Sequence, residues 1–116
     1  MEVSELDPRN AADVDEAVLA ARLSAMSHPA RLAILRGLSE RCCCCSEVVG
    51  QFDLAQSTVS QHLKVLVGAG LVRLKPDRQR SIYHIDRDAV AATASALARF
   101  ASDCCVDGEG LRGEQK

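Results

Sequence analysis

The stretch AQSTVSQHLKVLVGAGLVRLKPDRQRSIYHI, residues 55–85, decides the fold of this chain of 116 residues. Its first part places Val59, Leu63, Leu66 and Val67 at the i, i+4, i+7, i+8 spacing of one helical face. Two glycines follow within three residues and stop the pattern. The spacing predicts an amphipathic helix that ends in a tight turn.

The second part of the stretch alternates apolar and polar residues on both sides of a polar turn. LVRLK and SIYHI flank PDRQR, whose proline, aspartate and charges are typical of an exposed turn. We therefore predict a two-stranded β-hairpin directly after the helix.

The outer face of the predicted helix carries short polar side chains. Amides can read adenine and hydroxyls can bond bases or phosphates, while arginines at a hairpin tip can reach phosphates or the minor groove. Such a face on an isolated helix is usually only solvated, but a basic hairpin directly after it favours DNA binding. The predicted DNA-binding residues are Gln56, Ser57, Thr58, Ser60, Gln61, Lys64, Arg78 and Arg80.

The charge is distributed unevenly along the chain. The formal net charge is -2, and residues 1–20 hold six acidic and one basic side chain, a net -5. Residues 51–87, in contrast, hold six basic and three acidic side chains, a net +3. Because the local sign of charge governs contact with phosphate, the overall negative charge does not exclude a DNA-binding function.

Two helices are predicted upstream of the cysteines. The first is predicted from four apolar residues at helical spacing, Val14, Val18, Ala21 and Ala25. The second starts at SHP, because Pro29 suits a first turn and Ser27 or His28 can cap it. Its apolar pattern ends near Ser39 or Glu40.

Two further helices complete the predicted fold. A short third helix begins within the cysteines and closes at Gly50 or Phe52, and the last runs from about Asp88 to Asp103. The last helix is rich in alanine, and a domain of this size leaves much of such a helix uncovered unless a second copy meets it. We therefore expect a homodimer.

The predicted fold class is mainly α with a small β-hairpin, a winged helix-turn-helix. We assign residues 1–12 to a flexible N-terminal arm, residues 13–104 to the DNA-binding and dimerisation domain, and residues 105–116 to a disordered tail. The acidic N-terminus has neither a basic n-region nor an apolar stretch after it. These features predict a cytoplasmic protein without a signal peptide or membrane span.

The six cysteines form two clusters, the cysteine run (Cys42, Cys43, Cys44 and Cys45) and the cysteine pair (Cys104 and Cys105). A single cysteine is more often a small buried hydrophobe, but four in a row on a helix cannot all be buried, since neighbours point about 100° apart. Thiolates bind soft ions, and a helix N-terminus lowers the pKa of a thiol. No histidine or carboxylate is spaced to act as a base beside a cysteine, so we predict that the chain is not an enzyme.

Three segments together, SHPARLAILRGL, SEVVGQFDLAQSTVSQHLKVLVGAGLV and the hairpin ending in SIYHI, resemble the ArsR/SmtB family of winged-helix metal-sensing repressors. The resemblance covers about residues 16 to 103. It implies a homodimer that binds operator DNA and releases it when an inducer binds. It also implies that the helix supplies the base-reading residues and that His62 packs against the body. Ala55 departs from the Ser or Thr usual there, which leaves Asp53 or Ser57 to cap the helix.

The family resemblance also bears on the inducer. Its zinc sensors use Asp and His along the last helix, but this chain has no histidine beyond His84. Its arsenic sensors carry either a C-V-C motif at the third helix, which aligns with Cys44 and Ser46, or a cysteine pair near the end of the last helix. The resemblance therefore implies trivalent arsenic or antimony as inducer. Soft divalent cations (Cd, Pb, Zn) and thiol oxidation or persulfide formation stay open as alternatives. The predicted ligands are Cys104, Cys105 and one of Cys43 and Cys44.

Overall fold

The computed structural model describes residues 14–105, in which five helices surround a small antiparallel sheet. The predicted arm, residues 1–12, and residues 106–116 of the predicted tail lie outside the described residues. The helices are α1 (Glu16–Met26), α2 (Pro29–Glu40), α3 (Cys45–Gln51), α4 (Gln56–Gly68) and α5 (Arg87–Cys104). The strands are β1 (Cys43–Cys44), β2 (Val72–Asp77) and β3 (Arg80–Ile85).

Side-chain caps fix the starts of three helices. Asp15 and Asp86 accept hydrogen bonds from the first turns of α1 and α5, respectively. The Nδ1 atom of His28 accepts from the backbone N–H of Ala30 at 3.1 Å, and this contact confirms the predicted start of α2. Helix α4 begins after Ala55 without a side-chain cap, so the expectation that Asp53 or Ser57 would replace the missing cap is wrong.

The core is built around the apolar face of α4. Val59, Leu63 and Leu66 are each 0% exposed, as the spacing of that helix predicts. Their burial joins α4 to the other helices and to the sheet within one cluster. The buried residues around them include Ile34, Leu35, Leu38, Cys43, Val48, Leu71 and Val72.

Helix α1 faces the core about one residue away from its predicted orientation. Leu19 is buried, whereas Val18 is 38% exposed and Ala21 lies on the surface. Of the four predicted core positions, Val14 precedes α1 and only Ala25 is buried. The inward face includes Arg22. A charged residue on this face interrupts the apolar pattern by which the face would be recognised in the sequence.

The predicted hairpin is confirmed, but it belongs to a sheet of three strands. The strand order is β1-β3-β2, and both pairs are antiparallel. In the hairpin Asp77 pairs with Arg80, which leaves only Arg78 and Gln79 in the loop. The predicted five-residue turn is thus shorter, because Pro76 and Asp77 continue the strand. We refer to the β2–β3 hairpin as the wing.

Within the described residues, no helix combines the length and the hydropathy that a transmembrane span requires.

Candidate nucleic-acid interface and thiol cluster

Helices α3 and α4 form a helix-turn-helix, and α4 presents its outer face to solvent. The apolar face of α4 is held in the core, so its polar face points away from the protein. All six predicted contact residues of α4 are exposed: Gln56, Ser57, Thr58, Ser60, Gln61 and Lys64. Because the first turns of such a helix approach the base edges, this face can enter a major groove.

His62 lies on the inner side of α4 rather than on its exposed face. It is half-buried, and its ring centroid is 4.6 Å from that of His28. Its Nδ1 lies 3.4 Å from a guanidinium nitrogen of Arg31, whose Nε donates to the Ala25 carbonyl at 2.7 Å. Burial and then electrostatic interactions with His28 and Arg31 lower the pKa of His62. The half-buried ring packs α4 against the start of α2.

Arg22 connects the end of α4 to α5. Its Nε donates to the carbonyl of Ala69, the C-cap of α4, at 3.1 Å. Its Nη1 donates to the carbonyl of Ala89 at 3.3 Å and lies 3.2 Å from the Thr93 hydroxyl oxygen. One side chain of α1 thus joins α4, which carries the predicted DNA-contacting residues, to α5, at whose end the cysteine pair lies.

The wing carries two exposed arginines at its tip. Arg78 occupies the hairpin loop with a φ of 63°, a left-handed conformation that is unfavourable for a residue with a side chain. Arg80 follows at the start of β3 and is also exposed. Below them, Arg73 lies 3.7 Å from the Asp86 carboxylate, which anchors β2 to the start of α5.

The cysteine run does not form a single surface, because its members lie in different environments. Cys43 and Cys44 form β1, where successive side chains point to opposite faces. Cys43 is 1% exposed and belongs to the core cluster. Its Sγ donates to the Arg41 carbonyl at 3.6 Å and accepts from the Gln51 amide at 3.8 Å.

Cys44 joins α3 to the wing. It is the N-cap of α3, and its backbone N–H donates to the Glu47 carboxylate at 2.8 Å. The Cys44 Sγ lies 3.2 Å from the Ser46 hydroxyl and accepts from Nη1 of Arg80 at 3.7 Å. Hydrogen bonds from the Ser46 hydroxyl and then from the Glu47 backbone N–H lower the pKa of Cys44. The Cys44 thiol therefore loses its proton more readily than an ordinary cysteine, although its side chain is buried.

The other thiols differ from Cys44. Cys45 is half-buried, and burial followed by the nearby Cys44 charge raises its pKa. The expectation of a lowered pKa across the run therefore holds at Cys44 and is wrong at Cys45. Cys42 and both members of the cysteine pair are exposed free thiols.

Among residues 14–105 of one protomer, no three His, Cys, Asp or Glu side chains are grouped so that they could hold a metal ion. Cys43, Cys44, Cys104 and Cys105 are thus not gathered into one such group within a protomer. The predicted ligand set stays a prediction.

Two structural features that connect the wing and α4 to the rest of the protein were not predicted from the sequence. The two-residue strand β1 is too short to show any alternation, so its pairing with the wing left no signal. Arg22 lies three residues after Leu19 and four before Met26, which is the spacing of one helical face. This spacing could have placed Arg22 on the inward face of α1.

A Ser46→Ala variant tests the cause of the lowered pKa of Cys44. Removing the strongest hydrogen bond to the thiolate will raise this pKa toward its ordinary value of 9.0. A lowered thiol pKa adds folding stability that is full above pH 9.0 and is lost as pH falls through the folded value. The variant therefore loses part of this stability, and the loss is largest above pH 9.0. Ultraviolet thiolate absorbance, measured against pH in the wild type and the variant, reports the shift. An unchanged titration curve would contradict the role of Ser46.

Comparisons with known proteins agree with this geometry. A family model described as a helix-turn-helix domain matches residues 26–75. Nodulation protein NolR of Rhizobium meliloti is 35% identical over 89 residues, which cover 77% of this chain and 73% of NolR. An ArsR-like transcriptional regulator from Rhodococcus sp. RHA1 has a TM-score of 0.75 at 21% identity, over 86% of this chain and 94% of that one, and shows the shared fold. A structure described as a "possible transcriptional regulator for arsenical resistance" has a TM-score of 0.63 at 26% identity. The match covers 68% of this chain and 82% of that one.

Proposed function

Because the chain belongs to the ArsR/SmtB family of winged-helix transcriptional regulators, we propose that it is a homodimeric repressor whose inducer is trivalent arsenic or antimony. Its family members are DNA-binding regulators and not enzymes. The inducer binds thiolates of both cysteine clusters, and the dimer then releases its operator. The observation that supports this proposal is the contact between the Cys44 sulfur and Arg80, which connects a thiol to the wing.

Operator binding is assigned to the outer face of α4 and to the wing. Ser57, Gln61 and Lys64 recur at i, i+4, i+7 and therefore form one exposed stripe. Gln56 and Gln61 supply the amides that read bases, while Lys64 contacts phosphate. Ser57, Thr58 and Ser60 add hydroxyl contacts, and Arg78 and Arg80 extend the interface to the neighbouring backbone or minor groove.

Dimerisation is supported by an uncovered apolar groove between α1 and α5. The groove has a volume of about 240 Å³ and includes Leu19, Leu23, Leu97 and Phe100. Leu97 is 42% and Phe100 is 48% exposed, although both are large apolar residues. A second copy packed on this groove removes that surface from water. It also fixes the distance between the two α4 helices, which must match successive major grooves.

The donor chemistry fits a soft trivalent ion. Cys43 and Cys44 are both buried. Hydrogen bonds lower the pKa of Cys44, and its sulfur contacts Arg80 of the wing, so we assign the run's ligand to Cys44. The exposed cysteine pair supplies two more thiolates, giving the three sulfur ligands that the inducer needs. Since one protomer does not group them, Cys44 of one protomer and Cys104 and Cys105 of the other form the site. Binding displaces the thiol protons.

Two connections can carry ligand binding to DNA. At Cys44, coordination uses the sulfur lone pairs that otherwise accept from Arg80, so the wing loses an anchor. At the cysteine pair, a displaced α5 alters the contacts through which Arg22 holds Ala69 at the end of α4. A coupling of about 1–3 kcal/mol is typical of such effects and corresponds to a loss of affinity of about 5- to 150-fold.

The test is operator release by arsenite under reducing conditions, measured by fluorescence anisotropy on DNA that the protein selects from a random pool. Arsenite will lower the affinity of the wild type by about 5- to 150-fold. The Cys104→Ser/Cys105→Ser variant and the Cys44→Ser variant will bind the same DNA but will not be released. Antimonite will act in the same way.

Cys42→Ser is the matched control, because it removes an exposed thiol of the run that is not an assigned ligand. It will retain full release. Release that persists in the Cys104→Ser/Cys105→Ser variant would exclude the cysteine pair from the inducer site, and release by zinc but not arsenite would overturn the assigned inducer.

A further inference from the structure

A small pocket lies where the chain leaves α2 and meets the ends of β3 and the start of α5. Its volume is about 140 Å³, and it is lined by Leu38, Arg41, Cys42, His84, Ile85 and Arg87. None of these side chains is acidic. The pocket therefore combines one exposed thiol, one imidazole and two guanidinium groups, which the inducer site proposed above does not use.

The register of the sheet places the thiol and the imidazole side by side. Cys43 pairs with Tyr83 and Cys44 with Ile82 in antiparallel register. One residue beyond this ladder, Cys42 therefore stands opposite His84. Side chains opposite each other in antiparallel strands share a face, with Cβ atoms about 4.5–5.5 Å apart. His84 can accordingly accept a proton from the Cys42 thiol, so the expectation that no histidine stands beside a cysteine is wrong at this position.

The two arginines give the pocket its charge. Nη2 of Arg87 donates to the Ser39 carbonyl at 2.7 Å, which fixes this side chain against the end of α2. The nearby carboxylate of Asp86 is occupied, because it accepts from the Ala89 N–H at 3.0 Å and lies 3.7 Å from Arg73. A cleft lined by one sign of charge concentrates ligands of the opposite sign. A thiol in this position meets anionic reagents preferentially.

We propose that Cys42 is a thiol-exchange site selective for small anionic disulfides, such as those formed from carboxylate-bearing thiols. His84 accepts the thiol proton, and the Cys42 sulfur attacks one sulfur of the disulfide. A new S–S bond forms to Cys42 as the original S–S bond breaks, and the second half leaves as a thiolate that takes up the proton. Arg41 and Arg87 hold the carboxylate of the half that stays. The reaction is an exchange, so no further oxidant is needed.

This site is independent of the proposed response to arsenic. It requires neither Cys44 nor the cysteine pair, and it operates without DNA. Modification at Cys42 would place a bound group beside β1 and β3, at the base of the wing.

The test uses the full-length reduced protein, with dithiodipropionate as the dianionic probe and hydroxyethyl disulfide as a neutral probe of similar size. Tandem mass spectrometry follows the mixed disulfide at Cys42 and at the cysteine pair. At low salt, the ratio of anionic to neutral modification at Cys42 will be about tenfold higher in the wild type than in the Arg41→Gln/Arg87→Gln variant. The ratio at the cysteine pair will not change, and high salt will reduce the difference.

Two variants separate charge from structure. Arg41→Lys/Arg87→Lys keeps both charges but changes the geometry around Ser39, and it will retain most of the selectivity. Arg41→Gln alone leaves the contact between Arg87 and Ser39 intact and will show an intermediate ratio. Equal ratios in the wild type and the Arg41→Gln/Arg87→Gln variant overturn the proposal, as does anionic modification that persists elsewhere in the run when Cys42 is replaced by serine. Neither result bears on release by arsenite.

Discussion

A Gln56→Ala/Gln61→Ala double variant will bind operator DNA about 100-fold more weakly than the wild type. Both amides are exposed on the face of α4 that is directed away from the core. Each amide that reads a base pair is worth roughly 1–3 kcal/mol of discrimination, and the two losses add. Because this discrimination depends on sequence, binding to unrelated DNA will change little. Fluorescence anisotropy with operator and unrelated duplexes at one salt concentration measures both effects.

Lys64→Ala is the control for this prediction, since Lys64 lies on the same exposed stripe but is assigned to phosphate. It will weaken operator and unrelated DNA to a similar extent and will reduce the slope of log affinity against log salt by about 1. If the double glutamine variant weakens both duplexes equally, α4 contacts the backbone without reading bases, and the assignment of Gln56 and Gln61 is wrong.

A Leu63→Ala variant will lower the free energy of unfolding by about 2–5 kcal/mol. Leu63 is 0% exposed and lies at the centre of the apolar face of α4, so truncation leaves a cavity between α4 and the rest of the core. Domains of this kind are stable by only about 5–15 kcal/mol, and the loss is therefore a large share of the total. Chemical denaturation followed by circular dichroism, at a fixed protein concentration, provides the measurement.

Leu74→Ala offers a matched comparison, because it removes the same atoms from a side chain that is 46% exposed. It will change the free energy of unfolding by no more than about 0.5 kcal/mol. Equal losses for the two variants would mean that the folded chain does not depend on the packing of α4 against the core.

The helices and the wing were predictable because their patterns are local. The apolar stripe of α4, the SHP signal before α2 and the alternation on both sides of the wing each appear within about one helix or hairpin of sequence. Val59, Leu63 and Leu66 are all fully buried as the spacing predicts. The predicted DNA-contacting residues then follow as the opposite side of the same helix.

What the sequence could not reveal depends on contacts between distant segments. The pairing of β1 with β3 brings Cys44 to the wing across 36 residues of chain, and nothing in either segment indicates the partner of the other. The predicted inward face of α1 was shifted by about one residue from the observed one. The observed face includes Arg22, whose inward position is explained only by its hydrogen bonds to residues at the end of α4 and in α5.

For the cysteines too, the local sequence predicted one pKa shift correctly and missed another. Helix N-terminal position correctly indicates the lowered pKa of Cys44, but the largest cause is the Ser46 hydroxyl. The opposite behaviour of Cys45 follows from its burial, which the sequence alone does not give.

The strand order leaves β2 on the open side of the sheet, where unpaired backbone groups could recruit a strand from another molecule. Three residues of β2 oppose such recruitment: Pro76 has no N–H to offer, and Arg73 and Lys75 place positive charges on the exposed strand. A neighbouring wing would bring the same charges against them. The hairpin can therefore project into solvent without starting cross-β aggregation. The positive charges of Arg73 and Lys75 that prevent such pairing are also of the sign that a phosphate backbone attracts.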